Sequence, residues 1–110
     1  MTKVTFYQTP EGTLTGFEVY DHAGYAEAGS DIVCAAISAL VFNTINSVET
    51  LTEDAFDAES READARIVVR FRDTPSESGQ LLLRSLLLGL SNMENDAAYS
   101  MYLDLLIEEV

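Results

Sequence analysis

One histidine and one cysteine lie twelve positions apart in this sequence, and together they suggest nucleophilic chemistry. His22 and Cys34 are the only residues of their types in the chain. A thiolate is a strong nucleophile, and a neighbouring imidazole can take the thiol proton and later donate it to a leaving group. Each residue alone has a plainer interpretation, since free cysteine is usually a small buried hydrophobe and a histidine at a strand end is usually a polar loop residue.

The residues around Cys34 place it in the first turn of a helix. Ser30 and Asp31 are both suitable capping residues, and apolar residues recur at helical spacing from Ile32 to Val48. First-turn N–H groups lack partners within the helix, and the helix dipole is positive there. Both features favour a thiolate, and the free N–H groups would also stabilise an oxyanion during acyl transfer.

The strands that must position His22 follow from alternating hydrophobicity in the first part of the chain. Residues 2–8 and 13–20 alternate as two strands, and residues 9–12 form a turn signal between them. Gly16 inside the second strand indicates a bulge or bend. This strand ends directly before His22, so a strand end and a helix start must bring the two side chains together.

The second half of the chain continues the mixture of strands and helices. A short strand is expected around Phe56 with a turn near Ser60, and residues 65–72 alternate as the clearest strand. A second long helix is expected after Thr74, and residues 99–109 alternate as a last strand. The order ββα(β)βαβ predicts an α/β (α+β) sandwich of two long helices packed on a mostly antiparallel or mixed sheet.

The second helix carries a capping signal and an unusual number of leucines. Thr74 is the expected cap, with Pro75 in the first turn and Glu77 completing a capping box. Leucines cover nearly every face of residues 81–90, so this helix is expected to be buried on more than one side. Packing between the sheet and a partner subunit would account for that, and we therefore expect a homodimer.

Length and charge limit the classes of partner. A chain of 110 residues is expected to form a single domain, residues 1–110, around one core. Nineteen acidic and six basic residues give a net charge of −13, which would repel phosphate backbones and argues against direct nucleic acid binding. The plain interpretation of this charge is a soluble acidic surface, and the alternative is attraction to a basic partner.

The remaining sequence features predict a cytoplasmic protein without a membrane segment, metal or cofactor. One cysteine cannot form an intramolecular disulfide, which favours a reducing compartment, and the first ten residues lack a signal-peptide pattern. The apolar run at residues 81–90 is interrupted by Arg84 and has about half the length of a membrane span. A single histidine and a single cysteine do not make a zinc site, and the glycines do not fit a dinucleotide fingerprint.

The stretch HAGYAEAGSDIVCAAISAL, residues 22–40, resembles the signature of the ribosomal-processing cysteine proteases, the Prp family. The shared pattern is His-Ala-Gly, a short loop of small residues, Asp-Ile-Val-Cys-Ala-Ala, a variable residue and Ser. The two initial strands and the later helix with GQLLLRSLLLGL also fit, so the resemblance covers essentially the whole chain.

The resemblance implies an endopeptidase that removes the N-terminal extension of a large-subunit ribosomal protein precursor, after a segment ending in aromatic residues. Cys34 matches the family's nucleophile and His22 matches its base. Asp31 and Ser38 match further positions of the signature, and Gly24 lies in a glycine-bearing loop near the site. These three are expected to bind substrate or to support the site, and family members are typically homodimers.

Some roles stay open at this point. Asp31 is expected to cap the helix, to orient His22, or both, and Ser38 either donates a hydrogen bond near the site or packs as a small residue on the Cys34 face. Asp21 stands where the family commonly has glycine, a departure that matters if that glycine serves a backbone angle or substrate approach.

Two other function classes compete with the endopeptidase. One is a non-catalytic ribosome-associated factor that keeps the fold and binds the same basic ribosomal protein. The other, weaker alternative is a small acyl-transfer enzyme or thiol hydrolase that uses the same site. The presence of both His22 and Cys34 favours the endopeptidase.

Overall fold

The computed structural model describes residues 1–21 and 31–110, in which two helices pack on one face of a five-stranded mixed sheet. In chain order the elements are β1 (Thr2–Gln8), β2 (Leu14–Tyr20), α1 (Ile32–Leu51), β3 (Phe56–Arg61), β4 (Arg66–Phe71), α2 (Glu77–Asn95) and β5 (Leu103–Glu109). The strand order is β3-β4-β2-β1-β5, and β1 pairs in parallel with β5 while the other neighbours are antiparallel. The predicted sandwich is confirmed.

The hydrophobic core lies between the two helices and one face of this sheet. Val4 and Phe6 of β1 lie opposite Val19 and Phe17 of β2, and all four side chains are almost fully buried. Alternation in the strands and spacing of three or four residues in the helices direct one face of each element inward. The buried helical members of the core cluster are Val33, Ile37, Val41, Leu83, Leu86 and Leu90.

A bulge in β2 changes which of its residues face the core. Tyr7 pairs with Gly16 and Gln8 pairs with Leu14, so Thr15 is an extra residue on β2. Because side chains alternate along a strand, one extra residue reverses the alternation, and Leu14 therefore joins the core. The bulge or bend predicted from Gly16 is confirmed.

Gly16 also allows close contact on the open face of the sheet, the face away from the helices. In the sheet register it lies between Tyr7 of β1 and Arg70 of β4. The guanidinium carbon of Arg70 is 4.6 Å from the centroid of the Tyr7 ring, a cation–π distance. The Tyr7 hydroxyl donates to Glu18 over 2.9 Å. Burial, together with this hydrogen bond, raises the pKa of Tyr7.

The start of α2 differs from the prediction because a distant aspartate selects the cap. Ser76, not Thr74, is the N-cap, and its hydroxyl accepts from the Gly79 N–H over 3.0 Å. The same hydroxyl donates to Asp54 over 2.7 Å, and the Ser76 N–H donates to the other carboxylate oxygen of Asp54. The helix therefore begins at Glu77, and the predicted capping box at Thr74 is wrong.

Two other boundaries also differ from the pattern. Helix α1 continues to Leu51, past the predicted end near Val48, and the Thr52 amide and hydroxyl then both donate to the Val48 carbonyl. Strand β5 begins only at Leu103, because residues 96–102 form turns instead of the start of a strand.

Helix α2 buries only one face within the chain. Leu83, Leu86 and Leu90 are fully buried, whereas Leu81 and Leu88 are 67% and 62% exposed. These two exposed leucines are seven residues apart and share the outer face of the helix. The expected burial on a second side is therefore not provided by residues 1–21 and 31–110.

Among the helices of the described ranges, α1 alone has the length and apolar composition that would allow it to cross a membrane. The core helix of a globular protein meets the same criteria. Five α1 residues are buried, and most of them belong to the core cluster shared with α2 and the sheet. In this fold α1 therefore acts as a core helix.

We predict that Gly16→Ala destabilises the fold. The added Cβ would meet the backbone carbonyl oxygen of Val69, which cannot move without disturbing the pairing of β2 with β4. Overpacking of this kind costs about 1–3 kcal/mol, measurable by urea unfolding. Gly89→Ala is the matched control, because its Cβ would lie 3.3 Å from the end of the flexible Leu40 side chain. Equal stability of the two variants would contradict the prediction.

Candidate active site

The N-terminus of α1 is fixed by the carboxylate of Asp31. Its Oδ1 accepts from the N–H groups of Val33 and Cys34, each over 2.9 Å, and the residue is 7% exposed. The Asp31 carbonyl accepts the first helical hydrogen bond, from Ala35 over 3.0 Å. Asp31 is therefore the cap, and Cys34 is the third residue of the first turn, as predicted.

This cap corrects one electrostatic expectation. The N–H groups of Val33 and Cys34 are not free to stabilise an oxyanion, because both already donate to Asp31. A carboxylate at this position also offsets the positive end of the helix dipole next to the sulfur. The first turn therefore holds the backbone at Cys34 in place. The N–H groups of Val33 and Cys34 are already used for this and do not serve as donors to a substrate.

The Cys34 side chain packs against the core and is still partly exposed to solvent. The side chain is half-buried and packs against the core cluster. Its neighbour Val33 is 1% exposed and fixes this turn against the sheet. The plain interpretation, a small buried hydrophobe, accounts for the packing of this thiol on the core but not for its remaining exposure. Ser38 is exposed one helical turn further along the Cys34 face, so it is not a small packing residue.

His22 and Gly24 lie outside the described residues, as does any contact between His22 and Asp31. The described chain reaches Asp21, which has a φ of 72° in the left-handed region. Its N–H donates to the Asp64 carbonyl over 3.0 Å, and its carbonyl accepts from the Thr2 hydroxyl over 3.2 Å. The backbone angle thus accounts for a glycine at this position, and aspartate is among the residues that tolerate it best.

Sequence reasoning missed Thr2 and Asp64, which hold Asp21 in place. The sequence pattern places Thr2 only at the start of a strand and gives no role to Asp64. Their contacts join residues 19 and 43 positions apart through the sheet, so no local spacing indicates them. Within residues 1–21 and 31–110, no group of three His, Cys, Asp or Glu side chains is arranged to hold a metal ion.

Comparison with known proteins shows the family to which this chain is similar. The family described as Cysteine protease Prp matches residues 1–103. The chain is also 31% identical over 96 residues to the ribosomal processing cysteine protease Prp of Staphylococcus aureus (strain Mu50 / ATCC 700699). That alignment covers 87% of this chain and 91% of the relative.

Two solved structures of the Prp protease from S. aureus are similar to this fold. One, in complex with a covalently linked product peptide, has a TM-score of 0.91 and 30% identity, and the match covers 98% of this chain and 100% of that chain. The other, in complex with a substrate peptide, has a TM-score of 0.81 and 26% identity, with complete coverage of both, 100% and 100%.

We predict that Asp31→Ala lowers the free energy of unfolding by about 0.5–2 kcal/mol, the usual cost of losing an N-cap side chain. The variant loses both hydrogen bonds to the first turn. Asp31→Asn retains an acceptor oxygen and should lose much less, which separates the cap from the charge. Thermal or urea unfolding measures both. An Asp31→Ala variant as stable as the wild type would show that the cap does not hold the helix start.

Proposed function

The chain belongs to the cysteine protease Prp family, and we propose that it removes the N-terminal extension of a large-subunit ribosomal protein precursor. The observation that carries this proposal is the partly exposed Cys34 in the capped first turn of α1, within a chain that matches the family over residues 1–103. A thiol in this setting suits covalent attack on a peptide carbonyl. The covalently linked product peptide in the similar S. aureus protease is consistent with such an attack.

In the proposed reaction, His22 takes the proton of the Cys34 thiol, and the sulfur attacks the carbonyl carbon of the scissile bond. The C–N bond breaks, and His22 returns the proton to the leaving amine, which is the new N-terminus of the ribosomal protein. The extension is then held on Cys34 as a thioester. Water attacks this thioester with His22 as base, which releases the extension as a carboxylic acid and restores the thiol.

The neighbouring residues have supporting roles in this proposal. Asp31 holds the turn that carries the sulfur, through its bonds to the N–H groups of Val33 and Cys34. Ser38 is exposed on the same helix face, where a hydroxyl can donate to the bound peptide. Gly24 is proposed to support substrate binding, since a glycine has no side chain to obstruct an approaching peptide backbone.

The charge distribution favours a basic substrate. Of the six basic residues, Arg84 alone lies on a helix, while the others lie in or directly beside β1, β3 and β4. Three arginines near the sheet, Arg61, Arg66 and Arg72, are paired with carboxylates. The net charge of −13 suits attraction to a basic ribosomal protein in the cytoplasm.

We predict that Cys34→Ala and His22→Ala each reduce precursor cleavage by at least about 10³-fold, because each removes one half of the proton-transfer and attack machinery. Cleavage of a peptide spanning the extension junction is followed by mass spectrometry. Ser60→Ala, at an exposed position of β3, is the control and should cleave normally. Near-wild-type cleavage by either variant would exclude the dyad. A wild type that binds the precursor without cleaving it would favour the non-catalytic factor.

We also propose that the protein is a homodimer that uses the outer face of α2. Leu81 and Leu88 expose more than half of their surfaces on this face. Apolar surface of this kind is stabilised by burial at about 25 cal/mol per Å², and a symmetric interface would bury both leucines of each subunit.

We predict that Leu81→Glu with Leu88→Glu shifts the protein from dimer to monomer at micromolar concentration, because four charges would enter one symmetric interface. Sedimentation velocity measures the change. Leu106→Glu is the control, since Leu106 is 52% exposed and lies opposite Thr5 on the open face of the sheet. A monomeric wild type, or dissociation by the control alone, would refute this interface.

A further inference from the structure

Two backbone positions in an unfavourable conformation lie next to each other at the end of β2. Asp21 and Ala65, with φ of 72° and 50°, are the non-glycine residues with positive φ in the described ranges. The Asp21 N–H donates to the carbonyl of Asp64, the residue bonded to Ala65. The left-handed region is disfavoured for residues with a Cβ, and such a residue persists there only where its surroundings determine it.

The surroundings of Asp21 hold it from both sides. Its N–H is bound by the Asp64 carbonyl over 3.0 Å, and its carbonyl by the Thr2 hydroxyl over 3.2 Å. Thr2 is itself fixed, because it is 2% exposed and its N–H donates to the Tyr102 carbonyl over 2.9 Å. We call Thr2, Asp21 and Asp64 the Asp21 clamp.

The turn between β3 and β4 presents the Asp64 carbonyl to β2. This turn, Glu62–Asp64, follows the full length of β3 and so lies slightly beyond the turn predicted near Ser60. The Ala65 N–H closes it by donating to the Glu62 carbonyl over 3.2 Å. Arg61 donates twice to the Asp64 carboxylate, over 3.0 and 2.6 Å, which lowers the pKa of Asp64.

We propose that the clamp sets the position of the catalytic base, with Thr2 and Asp64 as positioning residues. His22 is bonded directly to Asp21, so the left-handed angle at Asp21 determines the direction in which the chain leaves β2. If the angle relaxed to the extended region, the next residue would start from a different place. Misplacement of a catalytic group by about 1 Å can cost 10²-fold in rate. This inference rests on the proposed role of His22.

Substitutions at Asp21 separate the backbone angle from the charge. Asp21→Gly and Asp21→Asn both accept a left-handed φ and both remove the carboxylate, whereas Asp21→Val disfavours that φ. If the angle matters, Gly and Asn keep kcat within about 2-fold of wild type and Val lowers it about 10-fold or more. Equal losses in all three variants would mean that the charge acts on the base, and the clamp would be refuted.

Substitutions at Thr2 test the second contact at nearly constant volume. Thr2→Val removes the hydroxyl bond to Asp21, and Thr2→Ser restores a hydroxyl. We expect Thr2→Val to lower kcat about 10-fold with little change in KM, and Thr2→Ser to recover most of it. Urea unfolding of each variant shows whether enough folded protein remains for a fair comparison. Loss of kcat in both variants, or in neither, contradicts a positioning role.

A second readout does not depend on peptide cleavage. Because His22 is the only histidine, the NMR signal of its imidazole C–H is unambiguous in the folded protein. Thr2→Val and Asp21→Val should shift this signal, while Thr2→Ser and Asp21→Gly should leave it near the wild-type position. Unchanged signals together with unchanged kcat in both Val variants would overturn the clamp. Shifted signals in a protein that cleaves no precursor would instead refute the proposed function and leave the clamp standing.

Discussion

The hydrogen bonds from Val33 and Cys34 to the Asp31 carboxylate determine where α1 begins, and much of the structure depends on that point. Each residue of a helix is rotated by about 100° from the last, so Val33, Ile37 and Val41 share the face that packs in the core. With the helix beginning at Ile32, Val33 and Ile37 enter the core. Cys34, one position later, then lies at the edge of the buried stripe, half-exposed.

Contacts with strand β1 help to position both the proposed nucleophile and the proposed base. Val33 belongs to the core cluster that contains Val4 and Phe6 of β1, and this packing fixes the turn that holds Cys34. Thr2, at the start of β1, holds the residue before His22. A paired strand within a sheet is a rigid reference, since its backbone groups are bonded on both sides, here to β2 and β5. The segment that connects the two functional residues therefore need not position them alone.

The sequence was sufficient where one face of an element is buried and local chemistry marks its ends. Alternation indicates β1, β2 and β4, and the two capping residues Ser30 and Asp31 indicate the turn that contains Cys34. The sequence was insufficient where a residue far away in the chain determines a helix boundary or a backbone angle. Asp54, far from α2 in the chain, selects Ser76 as the cap of α2. Likewise, the left-handed angle of Asp21 depends on contacts with β1 and with the turn after β3, which no local pattern records.

The central claim is that Cys34 carries the extension as a thioester, and it can be tested by trapping that species. The protein is mixed with precursor peptide, quenched in acid within milliseconds to seconds, and analysed by intact and peptide-level mass spectrometry. We expect an added mass equal to the N-terminal fragment minus one water, located on the peptide that contains Cys34. An adduct on any other residue, or cleavage that proceeds in a Cys34→Ala chain, would contradict it.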